Sequence, residues 1–198
     1  MITATLPNNR ERMRHVDTID GFGVPVELSG PDNGRVVIMF EETHRKTDAY
    51  DIVRERLHVA MLRTLVIPAD PRLTAKSVVG ILDQLKIPGG LLVGDRTGGE
   101  LAWNLAASQQ ERFTGLVVID CGHPRAPDID GVVRDRHCPA VQADATALVS
   151  TRAAHAVACE SKRYVHGEFR LAELAGPRRS RHFIAQLATE IVVRSLSR

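Results

Sequence analysis

The chain has 198 residues, of which 43% are hydrophobic and 4% aromatic, enough to bury one good core with little room for a second. Its formal net charge of +2 is too small to bind nucleic acid by bulk electrostatics, and no run approaches the roughly 18 apolar residues of a membrane span. Cys121, Cys138 and Cys159 are widely spaced and form no C-x-x-C pair, which argues against a metal framework and for a reducing compartment. Met1 to Pro7 lacks the basic and then apolar segments of a secretion signal, so the expected location is cytoplasmic. Arginine outnumbers lysine heavily, a usage that suggests a bacterial source.

Residues 1–15 are polar and read as a flexible leader, with a single domain expected over 16–198. Val16 to Leu28 predicts two short strands about Asp20-Gly21-Phe22-Gly23, a hairpin signal closed by the turn-rich Ser29 to Gly34. Uninterrupted apolar runs follow at Val36–Phe40, Leu65–Ile67, Leu91–Val93 and Leu116–Ile119. Runs without alternation are what strands buried on both faces of a parallel sheet look like. Between them, helical periodicity spans Tyr50 to Arg63, Thr74 to Leu85 and the segment containing Leu101, Ala102, Leu105 and Ala106. Strand and helix in alternation predict an open α/β sheet with helices on both faces and right-handed crossovers, and ligand sites at the carboxyl ends of the strands. In the last third, Pro139–Ala143 is the expected seventh strand, ending in Asp144; Phe169 to Ala175 is an eighth, and Phe183 to Leu196 a closing amphipathic helix.

The tightest motif is Leu91-Leu92-Val93-Gly94-Asp95-Arg96-Thr97-Gly98-Gly99. It resembles a nucleophile elbow, the G-x-S-x-G turn between a strand and a helix, with arginine in the central place. Other segments extend this resemblance. Thr18 to Gly30 is similar to the opening hairpin of the α/β-hydrolase superfamily, Arg35 to Phe40 to its third strand, and Leu65 to Asp70 to its fourth. Glu111 to Asp120 matches the region through the sixth strand, so the resemblance covers roughly residues 16–145. It implies a single-domain α/β-hydrolase fold. The 18 residues between Asp120 and Pro139 are too few for the helical cap that many relatives insert there.

The departures from that pattern bear on function. Guanidinium has no lone pair for attack, so Arg96 cannot serve as the nucleophile. Phe40-Glu41-Glu42 stands where the family commonly has His-Gly, and a carboxylate there opposes a developing oxyanion. Asp144 loosely matches the acid's place. After the eighth strand, Gly176 is followed by Pro177, Arg178 and Arg179, and the nearest histidine, His182, is displaced toward the helix. Arg96, Asp144 and His182 are therefore degenerate catalytic positions.

A cation at the amino end of a helix faces the positive end of its dipole, unfavourable by about 0.3–1 kcal/mol, and calls for compensation. One reading pairs Arg96 with Glu41 or Asp120 as an ion pair that plugs the old site. Another has Arg96, with Asp95, Thr97 and the free backbone N–H groups of the turn, bind a small anionic ligand such as a carboxylate or phosphate. Asp95 as a nucleophile fails because the shifted register puts Thr97 where glycine is needed. Thr97 is expected to cap the helix. Cys121 and His123 read as packing residues, as does Trp103, and Glu41 with His44 is too sparse for a metal site. No phosphate loop or cofactor motif is present. The basic cluster Arg178 to Arg181 reads as a solvated face. The expectation is a pseudo-hydrolase that binds or interacts, without cofactor, metal, nucleic acid or membrane. The alternatives are a divergent hydrolase of esters or similar small molecules using Asp144 and His182 with water or another nucleophile, or a subunit whose capless face a partner or a second copy covers as a homo-oligomer.

Overall fold

A computed structural model describes residues 12–42 and 48–196. Eight strands form one sheet in the order β1-β2-β4-β3-β5-β6-β7-β8. β1 (Arg12–Asp17) and β2 (Gly23–Ser29) make an antiparallel hairpin, and β2 runs antiparallel to β4 (Leu62–Pro68). β3 (Arg35–Glu41), β5 (Gly90–Asp95), β6 (Phe113–Ile119), β7 (Asp144–Val149) and β8 (Phe169–Glu173) continue the sheet in parallel.

Successive side chains of each central strand enter different cores, which is why the runs carry no polar alternation. In β3, Ile38 and Phe40 face one layer while Val37 and Met39 face the other; in β6, Leu116 and Val118 oppose Val117 and Ile119. Helices α2 (Ala75–Gln84), α3 (Thr97–Ser108) and α4 (Arg152–Ser161) cover the first layer, and α1 (Asp48–Val59) and α5 (Arg181–Leu196) the second. Fully burying one such Leu or Phe contributes about 1.5–3 kcal/mol, so both faces hold the sheet. The β6–β7 connection, residues 120–143, contains no helix and forms no cap.

Several boundaries differ from expectation. Residues 12–15, expected in the leader, are part of β1, where their backbone pairs with β2. The first helix stops at Val59 because Met61 takes a left-handed φ of 61° and Leu62-Arg63 enter β4. Pro139–Ala143 is not a strand: only Val141 makes an isolated bridge, to Val165. The seventh strand starts where it was expected to end, at Asp144. Helix α4 is weakly signalled because its small-residue face buries only Ala158 and Ser161.

Candidate functional site at the carboxyl ends of the strands

The β5–α3 bend is shaped by close backbone approach. A Cβ on Gly94 would collide with the Gly98 backbone, and one on Gly98 would lie 2.6 Å from the Phe40 carbonyl oxygen, so both places need glycine. Arg96 sits at the apex with φ 49° and ψ −110°, a sparsely populated conformation for any side chain. Its amide donates to the Ile119 carbonyl and its carbonyl accepts from Glu100, which locks the turn onto β6 and α3.

Glu41, Asp95 and Asp120 are each held by an arginine other than Arg96. Glu41 accepts from Arg54 at 2.7 Å, and Arg54 also reaches Asp51. Burial raises the Glu41 pKa, and the Arg54 charge and hydrogen bond oppose that rise without cancelling it. Asp95 and Asp120 share Arg178. Its Nε and Nη2 donate to the two Asp95 oxygens at 2.6 and 2.8 Å, and Nη2 also reaches Asp120 at 2.6 Å. Tyr50 completes the Asp95 shell at 3.0 Å, and the Ser150 amide and hydroxyl donate to Asp120 at 2.7 and 2.5 Å. Burial chiefly raises the Tyr50 pKa well above its ordinary value, with the Asp95 charge adding to it, so the phenol stays a donor.

Arg96 is half-buried and, among the described residues, its side chain has no hydrogen bond or ion pair. The plug reading, which joined Arg96 to Glu41 or Asp120, is thereby overturned: Arg54 and Arg178 arrive first, from α1 and from the β8–α5 loop. Thr97 is the first residue of α3 and does not cap it; the N-cap is Arg96, without a side-chain cap bond. The first-turn acid, Glu100, pairs with Arg134 of the β6–β7 connection.

The other degenerate positions are dispersed. Asp144 opens β7 at the amino ends of the parallel strands, away from the bend, where it accepts from the Glu168 amide at 2.8 Å and lies 3.4 Å from Arg194. It is thus excluded from a shared site with Arg96. His182 is exposed on the first turn of α5, and its side chain has no hydrogen bond among the described residues. His44 lies outside the described residues, and no group of three metal-ligating side chains occurs among those described.

The packing assignments hold. Trp103 is fully buried, its Nε1 donating to the Cys121 carbonyl at 3.3 Å, and its ring meets His123 edge-on. The His123 ring stacks on Tyr164; its Nδ1 accepts from the Arg125 amide at 3.1 Å, so Nε2 carries the proton toward Pro139 O at 2.9 Å. Burial pushes the His123 pKa down to about 4 and the Cys121 thiol up to about 12, so the two form no thiolate and imidazolium pair.

The residues missed by sequence reasoning are Tyr50, Arg54 and Ser150, together with the role of Arg178. A signal existed for Arg178 alone, an arginine two residues after Gly176 in a loop where a histidine is expected.

Two clefts flank this ground, each of about 560 Å³. One is lined by Val24, Pro25, Glu42, Pro68, Arg72 and Thr97, and the other lies beyond Arg178 at the ends of β7 and β8. No helix of the described residues is long and apolar enough to cross a membrane.

No protein-family model and no curated protein matches the chain. Solved structures do. A dienelactone hydrolase from Anabaena variabilis superposes with a TM-score of 0.73 at 18% identity, over 93% of this chain and 96% of that one. An enol-lactonase from Burkholderia xenovorans gives 0.71 at 13% identity, over 91% and 99%. The mouse α/β hydrolase domain-containing protein 10 gives 0.67 at 12%, over 91% and 96%. At such identities the likeness speaks to architecture alone, and with the strand order and the two helical layers it places this chain among proteins of the α/β-hydrolase fold.

Proposed function

We propose that this protein is a non-catalytic α/β-hydrolase-fold protein that binds a small anion at the β5–α3 bend through Arg96. The observation that carries the reading is the distribution of charge there. Arg54 and Arg178 engage Glu41, Asp95 and Asp120, while Arg96 keeps its own charge uncommitted at the positive end of α3. A carboxylate or phosphate would accept from the guanidinium and from the first amides of α3 together.

Against turnover stand three features. Arg96 has no lone pair to attack with. Among the described residues no histidine is hydrogen-bonded to the bend, and Arg178 holds the ground between Asp95 and Asp120 with a group that stays protonated. Solved neighbours are named as hydrolases; such activities need a nucleophile and a base, and neither Arg96 nor Arg178 can act as either.

The test has two arms. Hydrolysis of short activated esters is expected at the buffer rate, and Arg96→Ser is expected to remain unlabelled by a fluorophosphonate. In the second arm, succinate or inorganic phosphate is titrated while the amide NMR signals of Thr97, Gly98 and Gly99 are followed. Saturable shifts that vanish in Arg96→Ala support the reading. Turnover above the blank, or shifts indifferent to Arg96→Ala, refutes it.

A further inference from the structure

The cleft beyond Arg178 is separate from the bend and carries its own uncommitted cation. It is about 560 Å³, large enough for a small metabolite, and its walls are the β7–α4 turn (Ser150, Thr151), the first turn of α4 (Arg152, His155) and the β8–α5 loop (Gly176, Pro177, Arg178). Thr151 caps α4 by accepting from the Ala154 amide, and the Ser150 amide before it donates to Asp120, so the β7–α4 turn is held in place.

The charges divide into committed and free. Arg178 spends Nε and Nη2 on Asp95 and Asp120, so its planar fork is fixed in place while Nη1 has no partner among the described residues. Arg152 is exposed and, among the described residues, makes no ion pair or hydrogen bond. His155 lines the same wall, its Nδ1 3.5 Å from the Cys159 thiol, and Nε2 remains available. Glu173 at the end of β8 also lines the cleft, its carboxylate unpaired among the described residues. Arg152, His155 and Arg178 thus line one space from two elements, together with the Glu173 carboxylate.

We infer that this cleft binds a small polar anion bearing a hydroxyl or amine donor. Its anionic oxygens accept from Arg152, from Nη1 of Arg178 and from His155, and its donor faces Glu173. The lining is polar on most sides, which selects against an apolar ligand. The fixed guanidinium of Arg178 lowers the ordering cost, since its side chain is immobilised before any ligand arrives. A sugar phosphate and a hydroxy acid share this chemistry.

The experiment uses the whole chain and three probes: inorganic phosphate, glycerol phosphate and lactate. The amide NMR signals of Thr151, Arg152 and Gly176 are followed during each titration. Saturable shifts are expected with glycerol phosphate or lactate, whichever head group fits, and affinity about tenfold or more weaker in Arg152→Ala, as loss of a charge-assisted hydrogen bond implies. Glu173→Gln should narrow the preference for glycerol phosphate over bare phosphate if the former is the ligand type. Arg96→Ala should leave these shifts unchanged, which separates this site from the one at the bend. Arg152 is exposed, so its variant keeps the fold, and the unperturbed remainder of its spectrum verifies that. Absence of saturable shifts with all three probes overturns the inference, and so does saturable binding that survives Arg152→Ala.

Discussion

Arg178→Met removes three charge-assisted hydrogen bonds and leaves Asp95 and Asp120 facing each other, with side chains only 16% and 12% exposed. Breaking a fully buried ion pair by deleting one partner costs about 3–5 kcal/mol, whereas an exposed pair contributes about 0–1 kcal/mol. Arg178 is 21% exposed, and Tyr50 and Ser150 still donate to the stranded carboxylates, so the cost falls at about 3 kcal/mol near neutral pH. For a chain of this length that corresponds to a Tm lower by about 6–12 °C. The sign of the pH dependence follows from Asp120. Burial raises its pKa, but hydrogen bonds from Ser150 and Arg178 outweigh burial and hold it below the ordinary value. A carboxyl depressed in the folded state contributes stability above its unfolded pKa of about 3.9, and that contribution disappears as pH falls through the folded value. The gap between wild type and Arg178→Met should therefore be widest near neutrality and close in acid. Urea unfolding at several pH values measures it. A neutral-pH difference below about 1 kcal/mol, or a gap that stays constant down to about pH 3, would refute the bridging role assigned to Arg178.

Three further outcomes follow from the same geometry. Arg96→Gly relieves a backbone conformation that costs about 1–3 kcal/mol and adds about 0.5–1 kcal/mol of chain entropy, so chemical unfolding should show a net gain near 1 kcal/mol; a loss would mean that the side chain holds a contact. His123 is buried neutral with its pKa pushed down to about 4, so the unfolded state protonates first as pH drops below about 6.5, and stability should decline by up to about 3 kcal/mol between those values. His123→Gln should flatten that slope, as followed by unfolding midpoints across the range. Burial pushes the thiols of Cys121 and Cys138 up to about 12 and 11, so a thiol reagent at about pH 8 should modify only Cys159 until denaturant is added. Three thiols reacting at one rate would contradict the packing around Trp103 and His123.

What was legible in the sequence is what local sterics and burial write into neighbouring residues. Val36–Phe40 and Leu116–Ile119 could be read as central strands because a strand buried on both faces must be apolar at every position. The bend was legible for a similar reason, since only glycine fits at positions 94 and 98 against their close backbone neighbours. The seventh strand was misplaced because its core is Ala145-Thr146-Ala147, small residues with a weak signal, while Val141 beside Pro139 offered a competing short run. That shift carried Asp144 from the expected carboxyl end of its strand to the amino end and removed it from any catalytic grouping with Arg96.

Charge pairing was the least legible layer, and its physics explains why. Of the 26 basic residues four are lysines, which leaves 22 arginines to choose among 24 acids, and the long guanidinium stem reaches partners that no spacing rule connects. Arg178 meets Asp95 across 83 positions of sequence, and Arg54 on α1 reaches Glu41 at the end of β3. The expectation that Arg96 needs compensation rested on the α3 dipole and was sound as electrostatics. The protein satisfies the acids instead. Once Arg54 and Arg178 have taken them, a half-buried guanidinium remains at the apex of the bend beside the amino end of α3, and the anion proposed above would neutralise that charge without undoing the pairs that fix the surrounding loops.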